Sequence, residues 1–449
     1  MTTPAPPGSR ALLFVLLFAS FAYFYQAGGW NQNSRFDLVR AITNEGTLNI
    51  DPFMRSTGDK AFHDGHYYSD KAPGIGLTAV PLVAAVRPIY RAFGGDPETY
   101  EGLALLSYLS TVATAGLFTA LAGVSLFTLC LELGTSYGAA LFAALTFAVA
   151  TPIWTLATIF IGHAFAAALL VLAFAAAMRI GAADPSRDLR LGATVGFAAG
   201  WATVSEFPAA VPAILLAGLA AVQAAPLGRA RATRILAALG VGAVSCAAAL
   251  MAYQYACFGS PFHIAYSSEQ AGFEGMQTGV FGVHWPSFDA LWRILLGRYR
   301  GLLPLAPVLI FAPLGLVAMV RTPARRAALV AASIAICTAC VAVQPEFFDI
   351  QAVEPPAPEI AIPIVEHPIT ELVFPLLAHG HVSTKATWSG NLSYATWVPG
   401  HDDDAYNLGE AIGLAGKTSL VPLLAIWAGF AFAFARQLRR VTAGPGRAG

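Results

Sequence analysis

Apolar runs of membrane-spanning length recur along nearly the whole 449-residue chain, and no other feature limits its fold so severely. A spanning helix needs about 20 predominantly apolar residues. Such runs occupy residues 11–27, 102–133, 137–156, 162–179, 190–205, 207–224, 233–256, 303–320, 326–345 and 418–436. Inside lipid the backbone must satisfy its own hydrogen bonds, so runs of this kind are read as helices. The expected fold is an all-α polytopic membrane protein with about ten spans. Composition agrees. The chain is 56% hydrophobic and only 12% charged, where a soluble domain is about one quarter charged. A soluble globular chain and a disordered one are both excluded as defaults. Basic and acidic residues balance at 26 each, so no charge excess points to a nucleic acid.

Topology follows from the arginines. Positive charge marks the cytoplasmic side. Four clusters stand out: Arg179, Arg187 and Arg190; Arg229, Arg231 and Arg234; Arg321, Arg325 and Arg326; Arg436, Arg439 and Arg440. All four fall inside if the stretch 74–86 does not span. It holds Pro81, ends at Arg87, and at about 13 residues suits a re-entrant or interfacial helix. Residues 11–26 then form a retained signal-anchor helix. Both termini are cytoplasmic, and three long segments share the outer face: 28–101, 257–302 and 346–416. The organisation expected is a core over 1–345 with outer loops 28–101 and 257–302. An outer segment 346–416 follows, then a last span and tail over 417–449. The five cysteines lie in or at the end of apolar runs, and Cys337 and Cys340 read as small residues on one helix turn.

Loops of this length usually carry function. The first begins with Gly28-Gly29-Trp30-Asn31-Gln32-Asn33-Ser34-Arg35-Phe36-Asp37. Asn33 or Ser34 can cap a helix that runs to about Glu45 and stops at Gly46. Asp37, Arg40 and Asn44 share one face of it, and Leu38, Ala41 and Ile42 another. This is an amphipathic helix lying on the membrane surface. Asp37 is either a surface partner of Arg40 or a catalytic carboxylate. The loop continues through His63, Asp64, His66, Tyr67, Tyr68, Asp70 and Lys71, then enters the apolar stretch at Gly74. Lys71 at that boundary can hold a lipid phosphate as a point charge. Asp70 with His63 is a candidate pair for a divalent metal, although the spacing matches no strong metal motif.

These segments resemble the GT-C membrane glycosyltransferases, in particular the protein O-mannosyltransferase and aminoarabinose-transferase group (glycosyltransferase family 39). The resemblance lies in Asp64 to Gly74, Pro152-Ile153-Trp154 to His163, Ser205-Glu206-Phe207-Pro208, Phe258-Gly259-Ser260-Pro261, Arg300 to Pro307, and Asn407-Leu408-Gly409 to Leu420. It implies a polyprenyl-phosphate sugar donor held in the lipid bilayer and a hydroxyl acceptor on a glycan, lipid or protein. It also implies transfer at the outer face of a bacterial cytoplasmic membrane. Asp37 would accept the acceptor's proton, and Lys71, Arg298 and Arg300 would hold the donor phosphate. Arg35, Arg40, Asp64, His66, Tyr67, Tyr68, Asp70, His163 and Glu206 would bind substrate or support the site. One departure is specific. The group carries an Asp-Glu pair before the helix arginine, and this chain has Gln32 and Asn33 there. A transporter or flippase of lipid-linked sugars, and an inactive lipid- or glycan-binding relative, are the alternatives. Of the remaining polar runs, His401-Asp402-Asp403-Asp404 reads as a solvated turn.

Overall fold

A computed structural model describes residues 5–26, 29–269, 287–297, 301–322, 325–342, 405–414 and 416–443. These are mostly helical. The chain opens with α1 (Ser9–Ala22), strand β1 (Phe24–Gln26) and α2 (Trp30–Arg40), followed by the hairpin β2 (Lys60–His63) and β3 (His66–Ser69). Then come α3 (Gly74–Ala92), α4 (Tyr100–Thr111), α5 (Leu117–Glu132), α6 (Tyr137–Val149) and the short α7 (Ile153–Ala157). Next are α8 (Gly162–Arg179), α9 (Asp188–Ser205), α10 (Ala210–Ala224) and α11 (Arg229–Phe258). Beyond them lie α12 (Phe288–Leu296), α13 (Leu302–Leu305), α14 (Ala312–Val320), α15 (Arg325–Ala342), β4 (Ala405–Asn407) and a last long helix, Val421–Ala443.

Six helical stretches among the described residues are long and apolar enough to cross a membrane: Gly74–Ala92, Glu101–Glu132, Gly162–Arg179, Phe207–Leu227, Arg229–Phe258 and Gly416–Thr442. The run 11–27 is helical only to Ala22 before β1 begins, and the run 137–156 breaks ahead of Pro152 into α6 and α7. Three further expectations need correction. The stretch 74–86 is the first part of a 19-residue helix, not a 13-residue segment. Pro81 and Pro88 are accommodated inside it, and Arg87 does not end it because its guanidinium is paired with Glu98 at 2.9 Å. The run 303–320 is broken into α13, a 3-10 turn over Pro307–Phe311 and α14, since Pro304, Pro307 and Pro313 each remove a backbone donor. The fold is not purely α: β1 pairs with β4, and β2 with β3, in two antiparallel two-stranded sheets. Asp64 and Gly65 both take left-handed backbone angles at the tip of the β2–β3 hairpin, as a type I′ turn requires.

The core is built of small residues. α9 packs against both α8 and α11. Gly192, Gly196 and Gly200 line the α11 side of α9, and a methyl group at Gly196 would overlap the backbone of Leu239. Helix backbones approach closely in lipid when such small residues face each other. A second core joins α1, α5 and α6 to the last helix around Phe21, Phe127, Tyr137 and Trp154.

The helices alternate in direction, which sorts the polar ends. At one end Arg179 reaches Glu132 at 2.8 Å, Arg231 reaches Asp188 at 2.6 Å, Arg326 donates to Gln223 at 2.6 Å, and Tyr137 donates to Gln437 at 2.6 Å. The four arginine clusters thus gather at the same end of the bundle. The opposite end receives the start of α8, the ends of α9 and α11, and the β2–β3 hairpin.

Candidate functional site

The site is built around α2. Residues 33–40 of this helix are all buried, although Asn33, Ser34, Arg35, Asp37 and Arg40 are polar or charged. That corrects the expectation of a surface helix with an exposed polar face. Its cap is Gly29, not Asn33 or Ser34, because those side chains are engaged elsewhere. Asn33 donates to the Ser56 carbonyl at 2.8 Å, and Ser34 meets Ser69 at 2.8 Å. The expected end is found: after a π-helical turn over Ala41–Glu45, Gly46 takes a left-handed conformation.

Two buried ionic clusters flank α2. The larger collects residues from five separate segments. Lys71 lies between two carboxylates, 2.8 Å from Asp70 and 3.1 Å from Asp59. Asp70 is fully buried and also accepts from Ser34 at 3.4 Å. Arg35 donates to the carbonyls of Ala72 at 2.9 Å and Ser205 at 3.2 Å, and to Glu206 at 2.6 Å. The same Glu206 oxygen lies 3.1 Å from Nδ1 of His163, the second residue of α8. Glu269 reaches the cluster through a bridge between its backbone and Ala61 on β2, and its side chain hydrogen-bonds Asp70. Tyr266, one helical turn before Glu269, feels the charges of Lys71, Glu206, Asp70 and Arg35.

Burial dominates the electrostatics of this cluster. It raises the Glu269 carboxyl to about 9, assisted by the hydrogen bond to Asp70 and by the charge of that group. It raises Asp59 as well, with Asp70 adding to the effect and Lys71 opposing it. Burial alone would lower Lys71, but the Asp70 and Asp59 carboxylates outweigh it and hold the ammonium firmly charged. Glu206 goes the other way. Burial pushes it up, but the charges of Arg35 and His163 prevail and bring it down to about 2.

The second cluster contains Asp37. Arg40 donates to Oδ1 of Asp37 at 3.2 Å, and the Ser56 hydroxyl donates to Oδ2. Arg40 also pairs with Glu98 at 2.9 Å and stacks over the ring of Phe53. Glu98 takes Arg87 at 2.9 Å and Asn44 at 2.8 Å as well. The shared face of Asp37, Arg40 and Asn44 is therefore found, with Asp37 and Arg40 buried against protein and Asn44 half-buried at its end. Burial lifts the Asp37 carboxyl to about 6 against the pull of Arg40 and Ser56.

The structure thus brings together five of the residues singled out in the sequence: Arg35, Asp70, Lys71, His163 and Glu206. Asp37 and Arg40 stand in the neighbouring network. Asp64 and His66 sit at the exposed hairpin tip, where His66 meets Asp51 at 2.6 Å. Tyr67 lies under Lys60, and Tyr68 packs on Phe258. His63 is at the tip end of β2 against Phe258 and His263, whereas Asp70 follows the far end of β3, so the candidate metal pair is not brought together. Among the described residues no group of three or more His, Cys, Asp or Glu is placed to hold a metal. Arg298, Arg300 and His401 to Asp404 lie outside the described residues. Asp59, one acid of the polar run 57–74, and Tyr266 and Glu269 of the loop 257–302 carry no assigned role in the sequence and join the site only in the fold. No spacing links Asp59 or Glu269 to Lys71: the β2–β3 register, with Lys60 opposite Ser69, brings Asp59 there, and the pairing of Ala61 with Glu269 brings Glu269.

Gly162 is needed for this assembly. A methyl group there would overlap the backbone of Ser205 and the Glu206 carboxylate. Gly162→Ala is expected to lower stability by about 1–3 kcal/mol through overpacking, read as a lower thermal midpoint of the purified protein. An unchanged midpoint would mean that the ends of α8 and α9 are not held this closely. Comparison of the chain with family models, curated proteins and solved structures finds no match.

Proposed function

We propose that this chain is an integral-membrane glycosyltransferase that moves a sugar from a polyprenyl-phosphate donor to a hydroxyl acceptor. The observation that carries the reading is the buried cluster of Arg35, Asp59, Asp70, Lys71, Glu206 and Glu269. Ionisable groups are expensive to bury and collect where chemistry needs them. This cluster adjoins the start of an apolar helix at Gly74 and lies at the bundle end away from the arginine clusters. A lipid-linked donor meets those conditions, with its tail among helices and its headgroup at the cluster. The carboxylates suit the sugar hydroxyls, and Lys71, with Arg298 and Arg300, is assigned the phosphate. The same reading takes ten spans and both termini in the cytoplasm, so that the cluster faces outward from a bacterial cytoplasmic membrane.

Asp37 has a different part in this reading. Both of its oxygens accept hydrogen bonds from protein, one from Arg40 of the same helix and one from Ser56, so it holds α2 against Ser56 and helps position Arg35 two residues earlier. The test is transfer in membranes from a panel of radiolabelled polyprenyl-phosphate sugars, with wild type and Asp37→Asn side by side. Wild type is expected to transfer from at least one donor, and Asp37→Asn to keep donor binding and lose about tenfold or less of the rate. Abolished transfer with binding intact would return Asp37 to the role of proton acceptor. Binding of a donor by wild type without any transfer would sink the enzyme reading.

A further inference from the structure

We propose that His163 and Glu206 form the proton-accepting pair of this site, Nε2 of His163 taking the hydroxyl proton of the acceptor. The inference rests on the glycosyl-transfer reading above and supplies the base it needs, since Gln32 and Asn33 cannot serve. Three observations carry it. First, the geometry orients the ring: Glu206 Oε1 lies 3.1 Å from Nδ1, so the neutral imidazole donates from Nδ1 and presents the Nε2 lone pair. A carboxylate that fixes the tautomer in this way also stabilises the imidazolium formed later. Second, the two members differ in exposure as the roles demand. The Glu206 side chain is 14% exposed and that of His163 is 52% exposed, so the pair is anchored inside and open outside. Third, Arg35 donates to the same oxygen at 2.6 Å, which fixes the carboxylate and, as a cation beside it, favours its ionised form.

The step balances without further reagents. The acceptor oxygen attacks the anomeric carbon, and the bond from that carbon to the donor phosphate oxygen breaks. The electron pair leaves with the phosphate, the hydroxyl proton passes to Nε2, and the exposed ring then returns it to water. The charged and titratable groups facing the pair are Arg35 from α2, Lys71 from the end of the hairpin, and Tyr266 beside Phe207.

The experiment compares wild type, His163→Ala and His163→Asn in the same membrane assay, with donor binding measured separately and imidazole added as a rescue arm. Asparagine keeps an N–H for Glu206 but offers no base. The expected result is a 10²–10⁴-fold fall in transfer rate for both variants, unchanged donor binding, and partial recovery of His163→Ala by imidazole. Transfer by both variants within about threefold of wild type would overturn the pair while leaving the glycosyltransferase reading in place. Loss of transfer that imidazole does not restore would also overturn it, because His163 would then be structural. A wild type that transfers no sugar from any donor overturns both.

Discussion

Lys71→Met is expected to destabilise the protein by about 3–5 kcal/mol, the loss typical of removing one partner from a buried ion pair. The methionine fills a similar volume, so packing changes little and electrostatics carries the effect. Lys71 is the cation 2.8 Å from Asp70 and 3.1 Å from Asp59, and Asp70 is fully buried. Without it two carboxylates face each other away from water, and one must take up a proton or open the site. Burial already raises Asp59 with Lys71 in place. The loss is read as a fall in the thermal midpoint of detergent-purified protein. A thiol-reactive dye suits this assay, because Cys246 and Cys257 are buried and free in the fold. A second variant isolates the cause. Lys71→Met combined with Asp70→Asn removes one of the stranded charges and is expected to be more stable than the sum of the two single changes implies. Strict additivity, or a midpoint for Lys71→Met equal to wild type, would mean that the three groups do not form a buried ionic unit.

That cluster also marks where the sequence stops being informative. α8 spans Gly162–Arg179, the range read from its apolar run, because hydrophobicity, the glycine start and the arginine end act locally. The stop of α2 at Gly46 was legible for the same reason. Its start was not. Asn33 and Ser34 are good caps by local rules, yet both point into tertiary contacts, and Gly29 takes the cap instead. The length of the 74–92 helix is not legible locally, because Arg87 reads as a terminating charge until Glu98 is seen to pair with it. The site divides in the same way. Asp70, Lys71, Glu206 and His163 stood out as charged groups at the edges of apolar runs. Asp59 and Glu269 did not, since what brings them to Lys71 is a hairpin register and an isolated bridge 208 residues from Ala61 to Glu269 in sequence. Asp37 stood out for good local reasons and lies instead in the network next door.

The pH dependence of stability should therefore be unusual, and Glu269→Gln should remove much of it. Glu206 has a depressed pKa, so its contribution is full above its ordinary value of 4.5 and is lost as pH falls toward about 2. Asp37 and Glu269 have raised values. The folded state keeps protons there that the unfolded chain releases, so their contribution is full below 3.8 and 4.5 and is lost as pH rises through about 6 and about 9. Asp59 acts in the same direction as Asp37. Together these groups place maximum stability near pH 4–5. Between pH 6 and pH 9 Glu269 contributes a decline on the order of a kcal/mol per pH unit, and Asp59 adds to it in the same direction. Glutamine preserves the shape and, through its amide N–H, the donor to Asp70, but has no proton to lose. The thermal midpoint of Glu269→Gln is expected to match wild type near pH 5, to fall less steeply than wild type up to pH 9, and to exceed wild type there. A wild-type midpoint that does not fall between pH 6 and 9, or a variant that falls in parallel with it, would show that no buried protonated carboxyl sits against Asp70. If the decline is found, the same proton occupies the cluster at neutral pH and lowers its net negative charge, a condition the proposed anionic donor would need in order to approach Lys71.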